Sequence, residues 1–113
     1  MSKGQLPRLP LKAEYHDGAV VAVEFGPRHE VVLTIRLDPV WNEGNAAERR
    51  IRFSKVKNFE EVTEFFRRLG PAREPGDSLD VVLAIVRPRK GTVGVDLASL
   101  GFVELSGAEV KEL

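Results

Sequence analysis

Apolar residues recur at every second position over long stretches of this chain, which is the spacing of a β-strand that buries one face. The alternation is clearest in residues 30–38, where valine, leucine and isoleucine alternate with mostly polar residues. A similar pattern in residues 19–25 precedes a Gly-Pro turn, so the two segments predict a hairpin. A polar loop at residues 39–48 follows, and residues 49–56 then predict a third strand.

The apolar spacing changes to that of an amphipathic helix in the next segment, which predicts a helix at about residues 59–69. Asn58 is a good N-cap residue, and Glu61 is placed to complete a capping box. Gly70 predicts a left-handed end to the helix, and Pro71 prevents its continuation.

The last third of the chain predicts three more strands. Residues 79–87 are apolar on nearly both faces, which indicates a central strand. Residues 92–97 and 101–107 predict a final hairpin, and the tail at 108–113 reads as a short helical turn or a frayed end. The order β-β-β-α-β-β-β predicts an α+β fold, with a mainly antiparallel sheet of five to six strands covered by one helix.

The second face of this sheet is also apolar, and a soluble monomer rarely exposes so large an apolar surface. It would carry Val20, Ala22, Val32, Val82, Ala84 and Val86. Either the sheet curls into a partial barrel, or the sheets of two chains meet. We predict a homodimer.

The chain has 113 residues, which fits one domain. Pro7 and Pro10 exclude a helix at the N-terminus, so we expect an extended arm at residues 1–12 and a single domain at residues 13–113. The net charge is zero, which gives no electrostatic basis for binding nucleic acid or a membrane. There is no cysteine, no apolar leader and no membrane-spanning segment, so we expect a cytoplasmic protein.

The sequence Tyr15-His16-Asp17-Gly18 is the first candidate site. A histidine beside a carboxylate can act as a general base or bind a metal. Adjacent residues of an extended chain point in opposite directions, however, so His16 and Asp17 are not expected to pair. The favoured interpretation is a tight turn, in which the Asp17 side chain bonds the backbone two residues on. His16 gains a chemical role only if His29 or a distant carboxylate approaches its ring.

Trp41 is the second candidate, because it lies in the polar loop. Tryptophan often anchors a partner protein, but a single large ring also commonly closes an open end of a core, and we favour the second interpretation. Two basic strips, formed by Arg49, Arg50 and Arg52 and by Arg87, Arg89 and Lys90, are interpreted as charges that protect sheet edges.

Three segments, YHDGAVVAVEF, VVLTIRLD and IRFSKVKNF, resemble a pattern in small bacterial proteins of unknown function. In these proteins an aromatic-His-Asp sequence opens a strand, and one such family belongs to the immunity proteins of polymorphic toxin systems. The resemblance covers the first half of the chain, up to Phe59. It implies an α+β binding protein and assigns no catalytic residue.

The sequence contains no catalytic motif, so we expect neither an enzyme nor a bound cofactor. The leading hypothesis is a protein-interaction module whose partner is another protein or a second copy of the chain. The alternative is a small-ligand or metal site near His16 and Asp17. The candidate positions are Tyr15, His16, Asp17 and Trp41.

Overall fold

The computed structural model describes residues 7–44 and 47–113, and within these the chain forms one helix and seven strands. Residues 1–6 of the predicted arm and residues 45–46 of the predicted loop lie outside the described part. The elements are β1 (Ala19–Gly26), β2 (Glu30–Arg36), β3 (Glu48–Ser54), α1 (Phe59–Arg67), β4 (Asp80–Val86), β5 (Thr92–Leu97), β6 (Gly101–Ser106) and β7 (Glu109–Glu112). The predicted α+β class and mainly antiparallel sheet are confirmed, with one strand more than expected.

The sheet must curl, because its two outer strands are neighbours in sequence. The strand order is β6-β5-β4-β1-β2-β3-β7, yet only Gly107 and Ala108 separate β6 from β7. In a flat sheet the outer strands would lie about 29 Å apart, at roughly 4.8 Å per strand. A two-residue link spans at most about 10 Å. The chain therefore forms a partial barrel, which is one of the two arrangements that the sequence analysis considered.

The curled sheet encloses one core. The centre of β2 is fully buried at Val31, Leu33 and Ile35, and each of the other strands except β7 also contributes buried apolar side chains. Helix α1 adds Val62 and Phe66 to the same cluster. The apolar second face that suggested a homodimer is thus largely buried within one chain. It therefore no longer favours a dimer.

Register shifts in β1 and β4 explain why these strands seemed apolar on both faces. Each shift, at Val20/Ala22 in β1 and at Val82/Ala84 in β4, is the signature of a β-bulge, which breaks strict alternation. In β4 both Val82 and Ile85 are therefore buried, although they are three positions apart. In β1 the shift likewise places Val20 and Val23 on one face, opposite the buried Ile35 and Leu33, which strict alternation over residues 19–25 would not allow.

The C-terminal tail is a strand, so the predicted helical turn or frayed end was wrong. Strand β7 pairs antiparallel with β3, which places β3 inside the sheet. The arginines of β3 consequently do not protect an edge. Arg50 lies 3.6 Å from Glu24, and Arg52 lies 3.9 Å from Glu30, so they form charge pairs across strands.

Asn58 occupies the N-cap position of α1, as predicted, but its side chain makes no capping hydrogen bond to the helix backbone, which corrects the predicted capping box. Its Nδ2 donates to the Glu104 carbonyl and its Oδ1 accepts from the Ser106 N–H, both at 2.8 Å. One side chain thus bonds the backbone of β6 in both directions, as a neighbouring strand would. Gly70 follows the helix with a φ of 70°, the left-handed conformation that was predicted.

Residues 7–12 run alongside β4. Arg8 forms an isolated bridge with Val86, the Leu9 N–H donates to the Ile85 carbonyl at 3.2 Å, and the Leu9 side chain is buried. This segment lies next to the half of β4 that β1 does not reach, since β1 pairs only with Asp80 and Val81. Among the described residues no helix is long and apolar enough to cross a membrane.

Candidate functional site

Residues 15–18 form the predicted turn. The Gly18 N–H donates to the Tyr15 carbonyl at 2.9 Å, and Asp17 adopts a left-handed φ of 64°. Gly18 is required by space, because a Cβ there would lie 2.7 Å from Ile35 Cγ2. The Asp17 side chain, however, does not bond the backbone two residues on. It bonds a side chain from another loop.

His16, Asp17 and Trp41 come together at the surface. Trp41 Nε1 donates to Asp17 Oδ2 at 2.9 Å, and His16 Nε2 lies 3.5 Å from the same oxygen. The His16 and Trp41 rings meet edge to face, with centroids 5.3 Å apart. The prediction that His16 and Asp17 cannot pair was wrong, because the left-handed Asp17 interrupts the alternation on which it rested.

His16 also connects the turn to β4. Its Nδ1 lies 2.8 Å from the Leu83 carbonyl, which belongs to the register shift of that strand. A carbonyl can only accept, so Nδ1 carries the proton and Nε2 is the nitrogen that faces Asp17. Irregular stretches of a strand leave backbone groups without ladder partners, and His16 satisfies one of them.

Trp41 is half exposed, which contradicts the expectation that it closes the core. The exposed fractions are 51% for Trp41 and 80% for its neighbour Val40. The loop is nevertheless fixed, because Asn42 bonds both the N–H and the carbonyl of Glu14. Asp38 accepts from the Val40 N–H at 2.8 Å. We call the side chains of the exposed Val40 and Trp41 and the partly exposed His16 the tryptophan surface.

Tyr15 directly precedes His16 in the chain and is almost completely buried. Its hydroxyl donates to the Glu112 carboxylate at 2.7 Å, and the same carboxylate accepts from the N–H groups of Lys12 at 2.6 Å and Ala13 at 3.2 Å. Glu112 therefore joins β7 to the segment before the turn. No local pattern indicated Glu112, because its partners are nearly a hundred residues away and the tail was predicted to be a helical turn or a frayed end.

The environment shifts the pKa of both members of this pair. Burial raises the pKa of Tyr15, and the hydrogen bond and negative charge of Glu112 raise it further. Burial also raises the pKa of the Glu112 carboxyl, but the hydrogen bonds from Lys12, Tyr15 and Ala13 together outweigh it, so the net pKa lies below the ordinary value. The pair is thus held as a neutral phenol and a charged carboxylate.

An open groove of about 600 Å³ adjoins the tryptophan surface. Its walls include Trp41, Asn42, Arg49, Glu112 and Leu113. Leu113 is 47% exposed, so the groove combines apolar side chains with charges of both signs. This composition suits a protein surface in which an apolar centre is surrounded by polar residues.

No group of three His, Cys, Asp or Glu side chains in the described chain is arranged to hold a metal ion. His29, the partner that the sequence considered for His16, stacks instead on the Phe59 ring at 4.9 Å. The site thus brings together the four predicted positions and adds Glu112 and Val40, which were not predicted.

No family model, curated protein or solved structure matches the chain. The resemblance to the immunity proteins stays a prediction, and the case for a function depends on the geometry of the site.

Proposed function

We propose that this protein is a non-catalytic interaction module that binds a partner protein through the tryptophan surface. The observation that carries the proposal is an exposed Val40–Trp41 pair in a fixed loop: Trp41 donates to Asp17, and the next residue, Asn42, bonds the Glu14 backbone. Tryptophan is enriched among the residues that dominate binding energies. A side chain that is already fixed loses little conformational entropy on binding, which favours affinity.

The surroundings support a protein as the partner. The groove beside Trp41 is open, and its charged residues, Arg49 and Glu112 among them, can form the polar rim of an interface. A chain without cysteine suits a reducing compartment, and we assign the interaction to the cytoplasm. An immunity-like role, in which the partner is a toxin, is one form of this proposal.

The test compares partner capture by the wild-type protein and by Trp41→Ala, with Phe102→Ala as a matched control. Phe102 is also an exposed aromatic residue, at 44%, but it belongs to β6. Quantitative mass spectrometry of proteins captured from the source cells identifies candidates, whose affinity is then measured by calorimetry. We expect Trp41→Ala to weaken binding at least about 30-fold, as for a residue worth about 2 kcal/mol, and Phe102→Ala to have no effect. Equal affinities of both variants for every partner would overturn the proposal.

A second copy of the chain is the other candidate partner. Light scattering over a range of concentrations measures this directly. A dimer that Trp41→Ala dissociates would identify the copy as the partner, whereas a monomer at all concentrations would exclude it.

The convergence of His16 and Asp17 favours one alternative function, a site for a divalent metal or a small ligand. The 3.5 Å approach of His16 Nε2 to Asp17 Oδ2 provides two adjacent donor atoms. This alternative predicts that zinc or nickel raises the melting temperature and that His16→Ala abolishes the increase. An unchanged melting temperature with each metal and with a metabolite panel would exclude it.

A further inference from the structure

Strand β1 has a free edge along most of its length. It pairs with β2 from Ala19 to Gly26, but its pairing with β4 covers only Ala19 and Val20. From Val21 to Gly26, the second edge has no strand partner anywhere in residues 7–44 and 47–113. The register shift at Val21 marks the position where β1 separates from β4. Backbone hydrogen-bonding groups on this edge remain available to another strand.

An apolar groove of about 450 Å³ runs along this free edge. One wall is β1 itself, and the opposite wall is the end of α1 with the loop that follows. Its apolar lining includes Val21, Val23, Phe25, Phe66, Leu69 and Leu79. Phe25 is 39% exposed, so the groove is open to an incoming side chain.

Beyond the register shift at Val21, β1 carries no lysine or proline that would discourage pairing along this edge. Exposed edges normally carry lysine, proline or inward-pointing charges that discourage another strand. Here Glu24 is the only charged residue of β1, and it lies across β2 beside Arg50 at 3.6 Å. A free strand edge beside an apolar groove is an arrangement by which proteins bind an extended peptide through strand addition.

We propose that the β1 edge binds an extended segment of a partner protein, with apolar side chains at alternate positions and a carboxylate that faces Arg67. Arg67 lies in the groove wall, and no acidic side chain of the described chain forms an ion pair with its cationic guanidinium. An acidic residue or a terminal carboxylate of the segment would complement this charge. If two copies paired through their β1 edges, the α1 wall of each copy would stand in the way of the other. A single peptide strand therefore fits the groove better than a second copy does.

This site is independent of the proposed function, because it shares no residue with the tryptophan surface. The two can therefore fail separately: Trp41→Ala should leave peptide binding at the β1 edge unchanged.

The probe is a fluorescein-labelled hexapeptide, Ile-Thr-Val-Thr-Leu-Asp, measured by fluorescence anisotropy with the full chain. Two comparison peptides test the backbone hydrogen bonds and the carboxylate contact separately. One has N-methyl groups on its edge-facing amides, and the other ends in lysine amide in place of aspartate. We expect both changes to weaken binding at least about tenfold, because they remove backbone hydrogen bonds and the contact with Arg67. Hydrogen exchange should show new protection at the amides of residues 21–26.

Arg67→Glu is the decisive variant, and Arg68→Glu is its control. Arg68 is also exposed, but its guanidinium lies over the Phe65 ring and not in the groove lining. Arg67→Glu should weaken binding of the aspartate-ended peptide at least about tenfold and strengthen binding of the lysine-ended one. Circular dichroism confirms that both variants fold.

Equal binding of the N-methylated and unmodified peptides, or an effect of Arg68→Glu as large as that of Arg67→Glu, would overturn the proposal. So would a dimer in light scattering whose formation protects residues 21–26 from exchange, because a second copy would then occupy the edge.

Discussion

Asp17 adopts a backbone φ of 64°, in the left-handed region that aspartate, asparagine and glycine enter most readily. This one dihedral turns its carboxylate towards Trp41 and His16 and so assembles the tryptophan surface. Alternation along the chain could not predict this, because alternation assumes an extended backbone at every position. The residue types of the turn were predictable, but the direction of the side chains was not.

Two substitutions at Asp17 separate its conformational role from its hydrogen bond. Asp17→Asn keeps a residue that tolerates the left-handed region and an oxygen that accepts from Trp41, so we expect a loss of unfolding free energy below about 0.5 kcal/mol. Asp17→Ala introduces left-handed strain and removes the acceptor, which should cost about 2 kcal/mol. Urea unfolding followed by the fluorescence of Trp41, the single tryptophan, measures both. Equal losses for the two variants would contradict this account.

Asn58 lies between α1 and β6. Substitutions there can distinguish a helix-capping role from the hydrogen bonds that its side chain makes with the β6 backbone. Aspartate caps a helix as well as asparagine does, so a capping role predicts that Asn58→Asp is neutral. Aspartate cannot donate to the Glu104 carbonyl, however, and would place two acceptors together. We therefore expect Asn58→Asp and Asn58→Ala each to cost about 2 kcal/mol in chemical unfolding. A neutral Asn58→Asp beside a costly Asn58→Ala would restore the capping interpretation.

The elements that the sequence predicted correctly are those whose own residues determine them. The strand at 92–97 and the helix beginning at Phe59 match their local periodicity. Strand β7 was missed because Glu109–Glu112 is short and three of its four residues are charged, and it is a strand only because β3 lies beside it. The side-chain bonds of Asn58 likewise depend on β6, which is over forty residues away in sequence.

At the scale of the whole molecule, residues 7–12 pack onto the barrel beside β4. Leu9 is 9% exposed within the hydrophobic core, although the sequence predicted an extended arm there. Leu9→Ala should therefore lower the unfolding free energy by about 2 kcal/mol, at the lower end for a buried leucine. Lys12→Ala, an exposed control in the same segment, should change it by less than about 0.5 kcal/mol. Equal stability of both variants in guanidinium titrations would show that the segment contributes nothing to the core.

The Tyr15–Glu112 pair joins the two ends of the described chain, and its pKa shifts predict how this link depends on pH. The pKa of Glu112 is lowered by folding, so its contribution is complete above about pH 4.3, the unfolded value, and is lost as the pH falls through the folded pKa. The pKa of Tyr15 is raised, so its contribution is complete below about pH 10 and is lost as the pH rises towards the folded pKa.

Substitutions of Glu112 should therefore stop lowering the unfolding free energy in acid, and substitutions of Tyr15 should stop lowering it in strong base. At pH 7 we expect Glu112→Gln and Tyr15→Phe each to cost about 1 kcal/mol. Tyr15→Phe removes the hydrogen bond of the pair, and Glu112→Gln removes the charge and replaces one of the two accepting oxygens with a donor. The difference from wild type should shrink below about pH 4 for Glu112→Gln and above about pH 10 for Tyr15→Phe. Glu109→Gln is the control, because Glu109 lies in the same strand but pairs with the exposed Lys55. Urea unfolding from pH 2.5 to 11 measures the differences in both the acid and the alkaline range. If the stability difference between Glu112→Gln and the wild type persists in acid, the carboxylate charge does not hold the two ends together.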